Sequence, residues 1–263
     1  MPFASEPNPP SPQARVRLNG VAFDPVSEQE ALARVREALT AGRGGWIVPL
    51  NLACMRQLAR SPELSAIPRQ ADLVLADGMP LVWAARLQRT PVPERVAGSN
   101  LISSLTADAA ARGASVFLLG GSPGTAARAA QVFRSRHPAL NVAGVLSPPL
   151  GFERNASELA VIRDTLVRAR PDIVFVGLGF PKQERLIEWL RPSFPRTWFM
   201  GVGASFSFVS GEIERAPRWM QDAGMEWLHR LAREPRRLIK RYILGDLPFA
   251  LRLYASVVAG RIG

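Results

Sequence analysis

The chain has 263 residues, of which 47% are apolar and 21% are charged, a composition typical of a protein that folds around one substantial core. No stretch reaches the roughly 18 uncharged apolar residues of a membrane span, so the sequence excludes a membrane-spanning helix. Lys and Arg number 33 against 22 Asp and Glu, and the resulting net charge of +11 predicts a surface that attracts anions.

The amino-terminal segment, residues 1–14, is predicted to form a disordered leader. It contains five prolines and lacks the apolar segment of a secretory signal, so we expect the protein to remain in the cytoplasm. The single cysteine, Cys54, excludes an internal disulfide. Its position beside Met55 favours a packed thiol over a nucleophile.

The first predicted elements are a hairpin and a helix. Strands at Val16–Leu18 and Val21–Phe23 flank Asn19-Gly20, a dipeptide that tolerates positive φ angles. Ser27 and Glu30 then have the spacing of a capping box, which predicts the start of the first helix.

Six further apolar runs alternate with segments of helical period, a rhythm typical of βαβ units. We predict an α/β domain at residues 15–234 with a mainly parallel, Rossmann-like sheet flanked by helices, followed by a basic helical appendage at 235–263. The predicted strands are 46–50, 73–75, 116–119, 142–145, 173–176 and 198–202.

Residues that directly follow these strands are the candidates for chemistry, because open α/β sheets bind ligands at the carboxyl ends of their strands. We expect the candidates to open on one crevice. They are Asn51, Asp77, Gly78, Gly120, Gly121, Gly177 and Gly179.

Gly120 and Gly121 begin the segment GGSPG before a predicted helix, where backbone N–H groups can face a phosphate. The segment lacks the spacing of the dinucleotide-binding fingerprint, and a plain tight turn is the alternative.

The segment GLGFPKQE, which begins at Gly177, places a cation, an amide and a carboxylate at the start of a helix. Lys182 is a candidate to neutralise a phosphate, and Gln183 is a candidate to hydrogen-bond a base or a sugar. In the alternative reading, Glu184 only complements the helix dipole.

Asp77 is the candidate general base, because burial at the end of an apolar strand disfavours its charged form and raises its pKa. A structural turn at Asp77-Gly78 is the alternative. The only histidines, His137 and His229, lie far apart in the sequence, so a histidine-rich metal site or a serine-histidine triad has little support.

The carboxyl-terminal region is strongly basic, with six Arg or Lys residues at 229–241. Nucleic acid, anionic lipid and a pyrophosphate-bearing substrate are the three anionic partners that this cluster could serve. Apolar residues alternate with these cations beyond Leu238, which favours a pair of helices at a membrane surface, broken at Pro248. Packing on the protein core or in an oligomer interface is the alternative.

Several ordered segments resemble the bacterial WecG/TagA/CpsF glycosyltransferases and together cover most of the chain. They are LADGMPLVW, PERVAGSNL, VFLLGGSPG, GLGFPKQERLIEWL, GVGASFSFVSG, ERAPRW and GMEWLHRLAREPRR.

This resemblance implies an inverting transfer of a hexose from a UDP-sugar to a polyprenyl-diphosphate-linked saccharide, in the synthesis of exopolysaccharide, capsule or teichoic acid. The sugar would be N-acetylmannosamine, its uronic acid or glucose. It also implies an enzyme without a cofactor or an obligatory metal, bound peripherally to the anionic inner face of the cell membrane. A homo-oligomer is left open.

The resemblance also assigns roles to residues. It implies that Asp77 is the general base, with Asn51 near the same pocket. For the donor and its phosphates it points to Arg95, Gly120, Gly121, Gly177, Gly179, Lys182, Gln183 and Ser207. For the acceptor pyrophosphate and the membrane it points to Arg215, Arg230, Arg237 and Lys240.

Three positions depart from the family pattern and leave the donor uncertain. Pro49 stands where relatives often have threonine, and Ser207 and Asn100 stand where many have aspartate. Two other functions remain as alternatives: a nicotinamide-dependent Rossmann oxidoreductase or sugar-nucleotide epimerase, and an arginine-rich nucleic-acid-binding protein. The missing dinucleotide fingerprint and the lack of a nucleic-acid-reading motif argue against them, so no nucleic-acid partner is expected.

Overall fold

The computed structural model describes residues 14–222, 224–233 and 235–260, so the predicted leader lies outside the described residues except for Ala14. Its strands are β1 (Val16–Leu18), β2 (Val21–Phe23), β3 (Gly45–Leu50), β4 (Leu73–Ala76), β5 (Ser115–Gly120), β6 (Asn141–Leu146), β7 (Ile173–Gly177) and β8 (Trp198–Gly201). Its α-helices are α1 (Glu28–Thr40), α2 (Leu52–Leu58), α3 (Ile67–Gln70), α4 (Met79–Leu87), α5 (Gly98–Arg112), α6 (Thr125–Arg136), α7 (Ala156–Ala169), α8 (Lys182–Leu190), α9 (Ser205–Val209), α10 (Arg218–Asp222), α11 (Glu226–Arg233), α12 (Pro235–Arg241) and α13 (Leu247–Val258).

Strands β3 to β8 form a parallel sheet in the order β4-β3-β8-β7-β5-β6, which confirms the predicted α/β class. Helices cover both faces of the sheet, so its inner strands are apolar in both directions. In β3, Trp46 and Val48 pack into one apolar cluster with α4 and α8, whereas Ile47 packs into the other with α1 and α5. The polar residues of these segments are thereby confined to the strand ends.

The predicted hairpin and helix start are confirmed. Strands β1 and β2 are antiparallel, and Asn19 and Gly20 between them both have positive φ angles. The side chain of Ser27 accepts a hydrogen bond from the amide of Glu30, and the Glu30 carboxylate accepts one from the amide of Ser27. Because both signals involve only neighbours in the chain, the sequence is sufficient to place them.

The carboxyl-terminal helices α12 and α13 are separated by a π-helical turn at Tyr242–Asp246. The break therefore precedes Pro248, which lies in the first turn of α13, where its missing N–H group leaves no helical hydrogen bond unmade. The hydroxyl of Tyr254 donates to the carbonyl of Pro80 over 3.0 Å, and Arg56 Nε lies 2.9 Å from Asp246 Oδ1. Helix α13 is thus attached to the α/β core through α4 and α2.

One face of this carboxyl-terminal segment is buried, and another is exposed and apolar. Buried side chains include Leu238 and Leu253, whereas Leu244 and Leu251 are 68% and 61% exposed. Packing on the protein core therefore accounts for the buried face, and contact of the exposed face with a membrane stays a prediction. Among the described residues, no helix is both long enough and apolar enough to cross a membrane.

Glu184, near the start of α8, is completely buried. Its Oε1 accepts a 2.8 Å hydrogen bond from Gln183 Nε2, while its Oε2 has no hydrogen-bond partner among the described residues. Burial raises the pKa of this carboxyl group from an ordinary value of 4.5 to about 7, against the opposing effect of the Gln183 hydrogen bond.

This raised pKa predicts a pH-dependent free energy of unfolding. The folded protein holds the Glu184 proton more tightly than the unfolded chain does, so the stability present below pH 4.5 is lost as the pH rises towards about 7. The loss should reach up to about 3 kcal/mol. Glu184→Gln removes the titration, so urea denaturation should show its stability relative to wild type increasing between pH 5 and pH 8. Glu188→Gln, on the same helix, is the matched control, and an equal pH dependence in both variants would contradict the prediction.

Candidate active site

A cavity of about 470 Å³ lies at the carboxyl ends of β3, β4 and β8. Its polar lining includes five side chains that come from distant parts of the sequence, Asn51, Asp77, Arg95, Gln183 and Glu226, together with Ser99, Ser205 and Asp246. Its apolar lining includes Leu52, Met79, Trp83, Phe180, Trp227 and Tyr254. A mostly apolar cavity with a few convergent polar groups is the usual form of a small-molecule site.

Asp77 follows β4 directly, and its backbone amide donates to the carbonyl of Leu50 over 2.9 Å. Its Oδ2 accepts a 3.2 Å hydrogen bond from the amide of Gly98 at the start of α5. Burial raises the pKa of the carboxyl group above its ordinary value of 3.8, and Glu226 raises it further. The Gly98 hydrogen bond and the positive charges of Arg95 and Arg215 oppose this rise. The carboxyl group thus belongs to a charged cluster.

Glu226, at the start of α11, lies between two arginines. One carboxylate oxygen is 3.5 Å from Arg95 Nη1, and the other is 3.7 Å from Arg215 Nε. Arg215 also donates to Asn100 Oδ1 over 2.6 Å and to Ser99 Oγ over 2.9 Å. Because the Asn100 amide is neutral, it orients Arg215 without cancelling its charge. An aspartate at this position would add a second carboxylate.

Asn51 caps α2, because its Oδ1 accepts a hydrogen bond from the amide of Cys54 over 3.1 Å. The cap occupies the side-chain acceptor, so a ligand in the cavity would meet the amide NH₂ group. Cys54 is buried in the core, as expected for a packed thiol.

Gln183 is buried below the cavity, and its amide is held on both sides. Its Oε1 accepts 3.0 Å hydrogen bonds from the amides of Gly179 and Gly203, which follow β7 and β8. Its Nε2 donates to Glu184. The residue predicted to contact the donor therefore also connects two loops at the edge of the sheet.

The other candidates for phosphate binding lie outside the lining of this cavity. Gly120 and Gly177 allow β5 and β7 to end in close contact, since a Cβ atom on Gly120 would lie 2.7 Å from the Gly177 oxygen. Gly121 donates to that same oxygen over 2.7 Å. Lys182 pairs with Glu153 over 2.8 Å.

The helix after GGSPG already has a carboxylate at its start. Thr125 Oγ1 donates to both oxygens of Glu212, over 2.9 and 3.0 Å, and Arg128 also pairs with Glu212. Ser207 lies in α9, also outside the cavity lining, and its carbonyl accepts from the amide of Ile213 over 3.1 Å.

The appendage candidates fall into two groups. Arg215 reaches the charged cluster, and Lys240 is exposed on α12. The side chains of Arg230 and Arg237 lie outside what the structure describes. Within the described residues, no group of three or more His, Cys, Asp or Glu side chains is placed to hold a metal ion.

Sequence reasoning missed Glu226 and the aromatic wall of Trp227 and Tyr254, all from the carboxyl-terminal quarter of the chain. The available signal in the sequence was weak, because Glu226 is one of two glutamates within the basic segment GMEWLHRLAREPRR. Its partners, Arg95 and Arg215, are identified only by the tertiary structure.

Comparison with known proteins supports the resemblance noted from the sequence. Residues 16–262 match the model of the Glycosyl transferase WecG/TagA/CpsF family. A protein of Bacillus spizizenii named N-acetylglucosaminyldiphosphoundecaprenol N-acetyl-beta-D-mannosaminyltransferase is 31% identical over 199 residues, which are 76% of this chain and 75% of that protein. With the family matched along nearly the whole described fold, this chain belongs to the WecG/TagA/CpsF family of glycosyltransferases.

Proposed function

We propose that this glycosyltransferase transfers a hexose from a UDP-sugar to a polyprenyl-diphosphate-linked saccharide, with inversion at the anomeric carbon and without a metal ion. The observation that carries the proposal is the cavity that Asp77 shares with Arg95, in which Arg95 and Arg215 bear on the Asp77 carboxyl group. A base and fixed positive charge are what such a transfer requires.

In the proposed reaction, Asp77 accepts the proton of the acceptor hydroxyl as the hydroxyl oxygen attacks the anomeric carbon. The bond from that carbon to the diphosphate oxygen breaks, and UDP departs from the opposite face of the sugar, as in other inverting displacements. Arg95 and Arg215 offset the charge that develops on the leaving diphosphate.

The name of the Bacillus spizizenii relative supports N-acetylmannosamine as the sugar and a diphosphoundecaprenol-linked N-acetylglucosamine as the acceptor. The uronic acid of N-acetylmannosamine and glucose are the other transferred sugars that we propose. The product would enter the synthesis of a surface polysaccharide. Release of UDP from each UDP-sugar, measured with and without a polyprenyl-diphosphate acceptor, tests this choice. Membership in a glycosyltransferase family argues against the oxidoreductase, epimerase and nucleic-acid-binding alternatives.

Asp77→Asn should lower the rate of sugar transfer by roughly 100-fold or more while leaving UDP binding nearly intact. Because the base must be ionised, the wild-type rate should fall as the pH drops through the raised pKa of Asp77, and this acid limb should be absent in the variant. Asp72→Asn, at the opposite end of β4, is the control. Equal turnover of Asp77→Asn and wild type would exclude Asp77 as the base.

Glu226→Gln should tighten UDP binding about fivefold, since a diphosphate must otherwise compete with the Glu226 carboxylate for Arg95 and Arg215. Because Glu226 also raises the pKa of Asp77, the acid limb of the rate profile should move to lower pH. Calorimetry with UDP and a pH series of initial rates measure the two effects. Weaker UDP binding in the variant would show that the diphosphate does not replace Glu226.

We further propose that α12 and α13 rest on the anionic inner face of the membrane, where the lipid-linked acceptor resides. Supporting this, the segment from α12 to α13 carries exposed apolar side chains as well as the exposed Lys240, and its residues Tyr242, Leu247 and Ala250 line the cavity. The exposed apolar side chains are Ile239, Ile243, Leu244, Leu247, Leu251 and Val258. An apolar face with basic neighbours is typical of a helix that lies at a headgroup surface.

The double variant Leu244→Glu, Leu251→Glu should reduce co-flotation with phosphatidylglycerol-containing liposomes at least fivefold, because it places charge on the proposed lipid-facing side. Val161→Glu with Val167→Glu is a matched control, since both valines are about half exposed on α7, in another part of the protein. Equal flotation of the two double variants would contradict membrane contact through α12 and α13.

A further inference from the structure

An amide and a carboxyl group lie side by side beneath the cavity. Gln183 and Glu184 are adjacent in the first turn of α8, and their side chains are 5% and 0% exposed. The proposed proton transfer uses Asp77 and leaves Glu184 without a role. A buried carboxyl group with one unpartnered oxygen is costly to a fold, so its packing alone does not account for it.

The hydrogen bonds of Gln183 fix the orientation of its amide. Two backbone N–H groups, from Gly179 and Gly203, point at Oε1, so a rotated amide would set its own N–H donors against them. The NH₂ group must then find an acceptor on the opposite side. Glu184 Oε1 is that acceptor, at 2.8 Å.

The two loops joined in this way are both glycine turns at strand ends. Gly177-Leu178-Gly179 begins at the last residue of β7, and Gly201-Val202-Gly203 begins at the last residue of β8. A Cβ atom on Gly201 would lie 2.6 Å from Glu184 Oε1 and would also clash with Gln183 Nε2, so the backbone of this turn packs directly on the pair. Gly201, Val202 and Gly203 line the cavity.

Turns of this kind suit a nucleoside diphosphate, because glycine allows the backbone to approach a phosphate or a ribose closely at the carboxyl edge of a parallel sheet. Their usefulness depends on a fixed separation, which the Gln183 amide sets. A loss of the Glu184 acceptor would leave the buried NH₂ group of Gln183 without a hydrogen bond, and a shift of the Gln183 side chain to regain a partner would release one or both loops.

We propose that Glu184 is a positioning residue that, through Gln183, holds the turns after β7 and β8 in the arrangement that binds the nucleoside diphosphate of the donor. The inference rests on the proposed UDP-sugar transfer, and it assigns to Glu184 no contact with the substrate.

Glu184→Met tests the inference, because methionine fills a similar volume and offers no acceptor of comparable strength. We expect the Kd for UDP and the KM for the UDP-sugar to rise about tenfold, with the KM for the lipid-linked acceptor changed less than about twofold. The variant should be at least as stable as wild type above pH 7, since it buries no charge. A merely structural role would instead lower kcat by reducing the folded fraction, with both KM values unchanged.

Two further variants sharpen the test. Glu184→Gln keeps an acceptor oxygen and should restore UDP affinity to within about threefold of wild type. In a Gln183→Met background, Glu184→Met should have little additional effect, because Glu184 acts through Gln183. Additive losses would overturn the inference, as would full UDP affinity in Glu184→Met. Should Glu184→Met fail to fold, Glu184→Asp replaces it in the test. This variant withdraws the carboxyl group by one methylene and should weaken UDP binding in the same way.

Glu188→Met, one turn further along α8, is the matched control and should bind UDP as wild type does. The result also separates this inference from the proposed function. Wild-type protein that does not bind UDP would remove both, whereas wild-type binding that is retained in Glu184→Met would remove only the role of Glu184.

Discussion

Helices cover both faces of the six-stranded sheet, and this double burial determines where polar chemistry can occur. Side chains within a strand point to one apolar face or the other, so the first residue beyond each strand is the first that can be polar without a large desolvation cost. Asn51 and Asp77 occupy such positions after β3 and β4. The parallel direction of the strands then brings these residues to a single edge.

The positive charges of two arginines are partly balanced by one glutamate that lies next to both of them. Arg95 and Arg215 lie on either side of Glu226, and all three influence Asp77. The Glu226 carboxylate offsets part of the repulsion between the two guanidinium groups. Neither arginine is therefore left without a counter-charge in a partly buried site, where unpaired charge is most costly.

The features that could be predicted from the sequence depend on neighbouring residues or on strong periodicity. The turn at Asn19-Gly20, the cap at Ser27 and the strand preceding Asp77 are of this type. The features that could not be predicted depend on partners far away in the chain. Glu226 reaches Arg95 across more than a hundred residues. No local pattern specifies such pairings.

Partners that are distant in the sequence also explain why some candidate residues have surroundings that their neighbours in the chain do not predict. A glycine at a strand end allows close packing and ligand approach equally well. The contacts of Gly120 with the Gly177 backbone and of Gly177 with the Phe206 ring show that packing is one of the uses here. The position of Lys182 at a helix start predicts a phosphate as its partner, whereas the structure shows the Glu153 carboxylate 2.8 Å from its Nζ atom. Pro248 predicts a helix break by its residue type alone, although a proline is equally compatible with the first turn of a helix, where it lies in α13.

Helix α2 links the cavity with the carboxyl-terminal helices. Its cap, Asn51, lines the cavity. Arg56, little more than one helical turn further along, forms an ion pair with Asp246 at the junction of the carboxyl-terminal helices. The wall of the cavity and the carboxyl-terminal helices therefore share one short structural element, α2, which is anchored at its first turn to one and by Arg56 to the other.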